Sequence, residues 1–152
     1  MSIKILSIGK KHEDWVADGI DRYSKRLKKP FDLKWQLLPH SSRQHEAARA
    51  EESERLLAKI DARDHVILLD ERGTMLTSPK LSKHLQDCFV QSKPVVLVIG
   101  GAYGVTEELR ERANLQWSLS ELVFPHQLVR LVLTEQLYRA QDIAAGGSYH
   151  HS

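Results

Sequence analysis

A histidine and an arginine stand at the beginning of a predicted helix, directly after a proline. In the segment "LVFPHQLVR", residues 122–130, the apolar run ends at the proline, His126 follows, and Arg130 occupies the first helical turn. Histidine titrates near neutral pH and is the side chain that most often transfers protons in enzymes. A cation at this place is unusual, because the helix dipole is positive there. Arg130 therefore needs an anionic partner, and Glu121 or Glu135 could supply it.

Three glycines in "VIGGAYG", residues 98–104, follow a predicted strand and precede a predicted helix. The place suits nucleotide binding, but the dinucleotide pattern G-x-G-x-x-G needs a glycine where Ile99 stands. The phosphate-binding pattern G-x-x-x-x-G-K-[ST] does not occur in the chain. Two interpretations stay open: the glycines serve only turn geometry, or they let a flat ring approach closely. A cofactor with adenine and no phosphate fits the second.

Other patterns of enzyme chemistry do not occur in the sequence. No two of the eight histidines have metal-ligand spacing with suitable partners, so we expect no metal site. The nucleophile motif G-x-S-x-G is missing, which disfavours a hydrolase. Cys88 is the single cysteine, so no intramolecular disulfide can form. It continues the helical apolar pattern of Leu81 and Leu85, which indicates a core thiol in a reducing cytoplasm.

Strands and helices alternate about five times along the chain. We predict strands in "IKILSI", "FDLKWQLL", "HVILLD", "PVVLVIGG" and "LSELVF", and helices over residues 13–27, 43–60, 78–90, 107–113 and 128–145. Ser78 and Pro79 predict an N-cap followed by a proline at the first helical position. The alternation predicts a single α/β domain over residues 1–152, with a mostly parallel sheet and helices on both faces.

Three loops at the ends of predicted strands are the candidate site. Ligands of open α/β sheets bind beyond the carboxyl ends of the strands. One strand ends at Asp70, the next at the paired glycines Gly100 and Gly101, and the last at Pro125 and His126. We expect these three loops to converge.

The last predicted helix is apolar on more than one face. Its apolar residues are Leu128, Leu131, Val132, Leu133, Leu137 and Ile143. A helix of this kind requires burial on two sides, which a chain of 152 residues supplies with difficulty. A second subunit would supply the other cover, so we predict a homodimer. The alternative is that the helix is central within one protomer.

Composition and charge limit the possible partners. Apolar residues make up 41% of the chain, and no apolar run approaches the ~20 residues that a membrane span needs. We expect no signal peptide in "IKILSIG" and therefore a cytoplasmic protein. The net charge of +2 and the isoelectric point near 8.7 permit a nucleic-acid partner without requiring one.

The motifs together resemble a known family. The segments "VIGGAYG", "LSELVFPHQLVRLVLTEQLYRA" and the terminal "YHH" look like those of the ribosomal RNA large subunit methyltransferase H family. That family belongs to the knotted SPOUT class of S-adenosylmethionine-dependent enzymes, and the resemblance runs over the whole chain. It implies a C-terminal trefoil knot and a homodimer. It also implies methyl transfer to N3 of a pseudouridine in 23S rRNA, on the assembled ribosome rather than on naked RNA or DNA.

The resemblance also implies which residues bind S-adenosylmethionine. Matching the motifs position by position gives Leu69, Gly100, Leu119, Ser120, Glu121, Leu122, Val123 and Phe124. In such a site backbone amides and carbonyls contact the adenine edge and leucines cover its faces. The family usually ends in Tyr-His followed by a basic residue, whereas His151 and Ser152 follow Tyr149 and His150 here.

Methylation of an imino nitrogen requires a proton acceptor. His126, Tyr149 and His150 are the catalytic candidates, although each has a structural alternative: a turn contact for the first and RNA contact for the other two. We expect Arg130 to face the mouth of the pocket, where an RNA phosphate would neutralise it, with Arg139 on the same face. Methylation of another RNA base, or a ribosome assembly factor that keeps the pocket without turnover, are the alternative functions.

Overall fold

Residues 1–151, which the computed structural model describes, form five strands and five helices in strict alternation. Ser152, part of the predicted domain and tail, lies outside the described residues. In chain order the elements are β1 (Ile3–Ile8), α1 (Asp14–Ser24), β2 (Leu33–Leu38), α2 (His45–Leu57), β3 (His65–Met75), α3 (Ser78–Val90), β4 (Val95–Ile99), α4 (Glu107–Arg112), β5 (Leu115–Ser118) and α5 (His126–Ala144).

The sheet has the strand order β2-β1-β4-β3-β5, and its neighbouring strands pair in parallel. The predicted α/β class, parallel sheet and alternation are therefore confirmed. β1, β3 and β4 lie in the interior of the sheet, and their central residues are covered on both faces. Accordingly β4 and residues 66–69 of β3 are continuously apolar, whereas β1 also contains Lys4 and Ser7.

Successive residues of the central strands enter two different apolar clusters. Ile67 of β3 packs with Leu85 of α3 and Leu133 of α5 on one face. Its neighbour Leu68 packs with Leu109 of α4 on the opposite face, in the cluster that also contains residues of α2. The alternation follows from the period of two along a strand. As predicted, the sheet has helices on both faces. Cys88 belongs to the first cluster and is 5% exposed, which confirms the predicted core thiol.

The structure corrects the predicted last strand. The strand is Leu115–Ser118, and the segment 119–124, predicted as a strand from its apolar letters, is a loop. Trp117 pairs with β3 in two registers, opposite Leu69 and Thr74, because β3 continues to Met75 with an irregularity between them. The four residues of β5 are too few to show strand periodicity, whereas the apolar residues of the loop 119–124 resemble a strand pattern.

The starts of the helices differ from the predictions by small shifts, and two of them, α3 and α5, involve candidate residues. Thr77, not Ser78, caps α3: its hydroxyl accepts a hydrogen bond from the backbone N–H of Lys80 at 3.2 Å. The Ser78 hydroxyl instead donates to Gln136 of α5 at 2.7 Å. Helix α5 begins at His126, two residues before the predicted start at 128.

None of the helices among residues 1–151 has the length and apolar character needed to cross a membrane.

Candidate functional site

A cavity of about 1110 Å³ opens at the carboxyl ends of β3 and β4 and against the loop that follows β5. Leu69 and Asp70 of β3, the glycine loop 100–104 and the segment that leads to His126 all contribute to its wall. The three loops singled out in the sequence therefore converge, as predicted. They converge because the parallel strands β4, β3 and β5 are adjacent in the sheet and end at one edge.

Most residues that the resemblance assigned to the cofactor line this cavity. Those that line it are Leu69, Gly100, Leu119, Ser120, Leu122, Val123 and Phe124. Glu121 is exposed and is not part of the wall. Leu122 and Val123 are 69% and 77% exposed, so a large part of each lies open to solvent in the single protomer. Loop 119–124 is held by the Ser118 hydroxyl, which donates to the Ser120 carbonyl at 2.9 Å.

A side chain at either of the two paired glycines would collide with its neighbours. A Cβ on Gly100 would lie 2.7 Å from Cγ1 of Val105, and a Cβ on Gly101 would collide with Oε1 of Glu52. Of these glycine-loop residues, Gly104 has a positive φ, +79°, which favours glycine for conformational reasons. At Gly100 and Gly101, by contrast, close packing requires glycine. Close packing against Val105 and Glu52 therefore excludes a side chain at either position of the wall.

The polar part of the wall carries charges of both signs. The guanidinium of Arg110 forms an ion pair with the carboxylate of Asp70, and the Arg72 Nε lies 3.6 Å from the same carboxylate. Arg49 donates from Nε to the carbonyl oxygen of Tyr103 at 2.9 Å, which ties α2 to the glycine loop. The cavity thus combines apolar and charged walls, as ligand-binding pockets commonly do.

His126 lies in the cavity wall as the first residue of α5. Burial lowers the pKa of its imidazole, and the nearby charges of Arg130 and His40 lower it further, against an opposing effect of Glu52. The ring is therefore neutral at pH 7, the state in which it can accept a proton.

Arg130 is not at the mouth of the cavity, which corrects its predicted position. It is 1% exposed, and Nη1 donates to the carbonyl oxygen of Lys10 at 2.8 Å and to Nδ1 of His12 at 3.3 Å. Its guanidinium also lies against Gly9, where an added Cβ would be 2.9 Å from Nη2. Arg130 thus holds the loop 9–12 against α5, and its described partners are neither Glu121 nor Glu135.

Tyr149, His150 and Arg139 form a separate cluster near the carboxyl end of α5. Arg139 Nη2 donates to Glu135 at 2.8 Å, and Arg139 Nη1 lies 3.1 Å from His150 Nδ1. The guanidinium of Arg139 lies over the ring of Tyr149, 4.7 Å from its centre. The backbone N–H of Tyr149 donates to Asp142 at 2.9 Å, so the tail folds back onto α5.

The hydroxyl of Tyr149 is a poor proton acceptor. Burial, together with hydrogen bonds that the hydroxyl makes to Tyr23 and to the Glu135 carboxylate at 3.1 Å, raises its pKa to about 12. At neutral pH the group stays protonated and donates to the Glu135 carboxylate. Tyr149 can therefore orient a neighbouring group by donating a hydrogen bond or by ring contact, but it does not accept a proton.

The two groups of predicted catalytic residues do not meet within one protomer. His126 begins α5, and Arg139 follows thirteen positions later, which places them roughly 20 Å apart along the helix axis. Tyr149 and His150 are fixed beside Arg139 and therefore lie at the far end from His126. One bound nucleotide cannot reach both ends of the same α5.

Sequence reasoning missed one carboxylate behind the site. Glu52 is 3% exposed and accepts a hydrogen bond from the backbone N–H of Ser41 at 3.0 Å, while Oε1 has no partner among the described residues. Because helix α2 carries many charged residues, Glu52 resembled an ordinary surface residue in the sequence. Its spacing of four from Ala48 and from Leu56, both fully buried, was the available signal.

Comparison with known proteins places the chain in a family. The family model described as "Predicted SPOUT methyltransferase" matches residues 1–150. The chain is 41% identical to "Ribosomal RNA large subunit methyltransferase H" of Geobacter metallireducens, with 100% of both chains covered. It is 38% identical to the protein of the same name from Hahella chejuensis, with 99% of both chains covered.

A solved structure shares the fold. It is described as the structure of a probable methylase family protein from Haemophilus influenzae, and it matches with a TM-score of 0.54 at 16% identity. The match covers 95% of the present chain and 66% of that chain. Together with the family model, the parallel sheet and the cavity at its carboxyl edge, these matches establish that the chain belongs to the SPOUT methyltransferase family.

Proposed function

We propose that this protein is an S-adenosylmethionine-dependent methyltransferase that modifies N3 of a pseudouridine in 23S rRNA, on the assembled ribosome in the cytoplasm. The observation that carries the proposal is the cavity where three loops meet, with its apolar, glycine-lined wall beside a neutral histidine. The names of full-length relatives support an rRNA substrate. The trefoil knot and the cytoplasmic location are part of the proposal and stay predictions.

The residues of the cavity fit S-adenosylmethionine. Gly100 and Gly101 carry no side chain, so their backbone would contact the adenine directly, and an added side chain at either position would collide with Val105 or Glu52. Leu69, Leu119 and Phe124 would cover the faces of the ring, and Asp70 would lie near the charged groups. The cofactor supplies an electrophilic methyl group, and the protein supplies position and proton transfer.

His126 is our candidate for the proton acceptor. The imino nitrogen of the base must lose its proton at or before attack, and a neutral imidazole in the cavity wall can take it. Positioning of the two reactants would supply much of the rate enhancement, up to roughly 7–11 kcal/mol in ideal cases. His150 remains a second candidate acceptor, and Tyr149 would orient the base by ring contact.

A second copy of the chain would bring these groups together. Leu128, Val132 and Ile143 share the outward face of α5 with Arg139 by helical spacing, and all are partly exposed in the protomer. An antiparallel pairing of two α5 helices would bury this face. It would also bring Tyr149 and His150 of one protomer towards the cavity of its partner. We therefore propose a homodimer in which each active site uses both chains.

Basic residues near the site would contact the RNA. Arg139 lies on the face that the partner would bring to the cavity, and Lys10 and Lys11 are exposed on the loop that Arg130 holds. Arg130 itself would act on RNA through this loop, since its own side chain is buried.

Two measurements test the proposal. Mass spectrometry of rRNA from a strain without this protein should show the loss of N3-methylation on one pseudouridine, and the purified protein should restore it on isolated ribosomes. If the rRNA is unchanged but a methyl group is lost from tRNA, the result would support the alternative function, methylation of another RNA base. Binding of S-adenosylmethionine in calorimetry without any lost methylation would support the assembly factor.

A further inference from the structure

Two histidines and the single cysteine meet at the edge of the sheet opposite the cavity. His65 is the first residue of β3, and His84 and Cys88 lie one helical turn apart on α3. Leu69, which borders the cavity, is four residues further along β3, or roughly 13 Å away. The three side chains therefore belong to a separate place in the fold.

Their potential ligand atoms converge on one point. Nε2 of His65 and Nε2 of His84 are hydrogen-bonded at 2.9 Å. With Sγ of Cys88, one ring nitrogen from each histidine forms a group of potential ligand atoms that all lie within 4.8 Å of one another. Around a tetrahedral zinc ion, with Zn–N near 2.0–2.1 Å and Zn–S near 2.3 Å, such atoms stand about 3.3–3.6 Å apart. The 2.9 Å between the two nitrogens is shorter than these values and the 4.8 Å limit of the group is longer, so the side chains would adjust around a bound ion.

We propose that His65, His84 and Cys88 form a zinc-binding site, with water as the fourth ligand. Two imidazoles and a thiolate are the donor set that zinc prefers, whereas magnesium and calcium require oxygen ligands. Both histidines are half-buried and Cys88 is buried, so water can reach the ion from one side only. The thiol proton would leave to solvent on binding.

The surrounding charges and packing define what the site would do. Asp87 lies near His84, and Lys93 and Arg112 lie near His65, so the positive groups would make the affinity lower than that of an all-cysteine site. The ion would join the start of β3 to α3. Helix α3 in turn is hydrogen-bonded to α5, because the Ser82 hydroxyl donates to the Ala140 carbonyl at 2.7 Å. We therefore assign zinc a structural role that braces this face.

The experiment uses the full chain after removal of metals with a chelator. Cobalt(II), as a spectroscopic probe for zinc, should give a thiolate-to-cobalt charge-transfer band with one equivalent of metal, and zinc should displace it. Zinc should also raise the melting temperature of the wild-type chain. Cys88→Ser should lose the charge-transfer band, and His84→Asn and His65→Asn should each weaken zinc binding by about tenfold or more.

His151→Asn is the matched control, because it removes an exposed tail histidine and should leave metal binding unchanged. If Cys88→Ser does not fold, the two half-buried histidines still test the site. The proposal is overturned if the wild-type chain gives no charge-transfer band or if zinc binding persists in the His65 and His84 variants. Binding of copper(I) without zinc would overturn the assignment to zinc.

Discussion

The guanidinium of Arg130 donates a hydrogen bond to the carbonyl oxygen of Lys10 at 2.8 Å and is almost completely buried. The residue at the start of the last helix thus fixes a loop that follows the first strand, 120 positions earlier in the chain. A buried arginine that donates to a backbone carbonyl stabilises the fold by holding that loop in place.

Replacement of Arg130 by alanine should therefore lower the free energy of unfolding. The change leaves the Lys10 carbonyl without a partner and opens a gap beside Gly9, which together should cost about 2–4 kcal/mol. Urea unfolding followed by circular dichroism measures the loss. Arg139→Ala is the control, because its guanidinium is less buried and it should cost less. Equal stability of the Arg130 variant and the wild type would contradict the assigned role.

Gly101→Ala should be destabilising in a way that depends on Glu52. The new methyl group collides with the Glu52 carboxylate, and the clash should cost about 1–3 kcal/mol. In the Glu52→Ala background the collision is absent, so the two changes should be less than additive. Gly146→Ala, where nothing lies within 4 Å, should show no such coupling to Glu52. Additive losses for Gly101 and Glu52 would exclude the contact.

Stability should fall in mildly acidic solution. The pKa values of His12, His65, His84 and His126 are all lowered from 6.5, with burial as the largest cause. Unfolded histidines take up protons below pH 6.5 while the folded ones do not, so stability is present above that pH and is lost as pH falls towards the folded values.

His126→Asn isolates one of these groups. The melting temperature of the wild type should fall between pH 7.5 and pH 5.5, and the fall should be smaller in the variant. A His151→Asn variant, altered at an exposed position, should follow the wild type. Identical slopes in all three proteins would show that His126 is not held neutral by the fold.

Tyr149→Phe should retain more methyltransferase activity than Tyr149→Ala. The pKa of about 12 keeps the hydroxyl protonated, and the ring contact with Arg139 survives in phenylalanine. We expect the Phe variant to keep activity within about tenfold of wild type and the Ala variant to lose more. The rate of methylation of isolated ribosomes measures this. Equal, severe losses in both variants would assign the hydroxyl a direct chemical role.

Two inactive variants should complement each other if the active site is shared between subunits. His126→Asn and Tyr149→Ala protomers, unfolded and refolded together, should form mixed dimers in which one site has both intact residues. Random pairing predicts about a quarter of the wild-type activity. Separate refolding followed by mixing without exchange is the control. No recovery in the mixed dimers would show that each site uses one chain only.

Val132→Glu tests the dimer face itself. The residue is partly exposed on the outward face of α5, so a charge there should prevent subunit pairing while the protomer stays folded. Sedimentation should change from dimer to monomer. Replacement of the exposed Glu108 by glutamine on α4, away from this face, should leave the assembly unchanged.

The sequence by itself determined the alternation of strands and helices and the parallel sheet, because continuous apolar runs and helical spacing are local signals. It also placed His126 and the glycine loop at the cavity, since parallel strands end at one edge. The sequence did not show that 119–124 is a loop, because its apolar residues resemble those of a strand although they line a cavity. Only the pairing of β3 with Leu115–Ser118 shows which segment is the strand.

Only the tertiary structure decided the environment of three groups. Arg130 is buried because a loop 120 positions away supplies its acceptors, and Glu52 is buried because the glycine loop closes over it. His65 joins His84 and Cys88 across a strand and a helix, so spacing along the chain concealed the cluster. Periodicity is encoded by neighbours in sequence, whereas burial and charge pairing depend on residues that the fold brings from far along the chain.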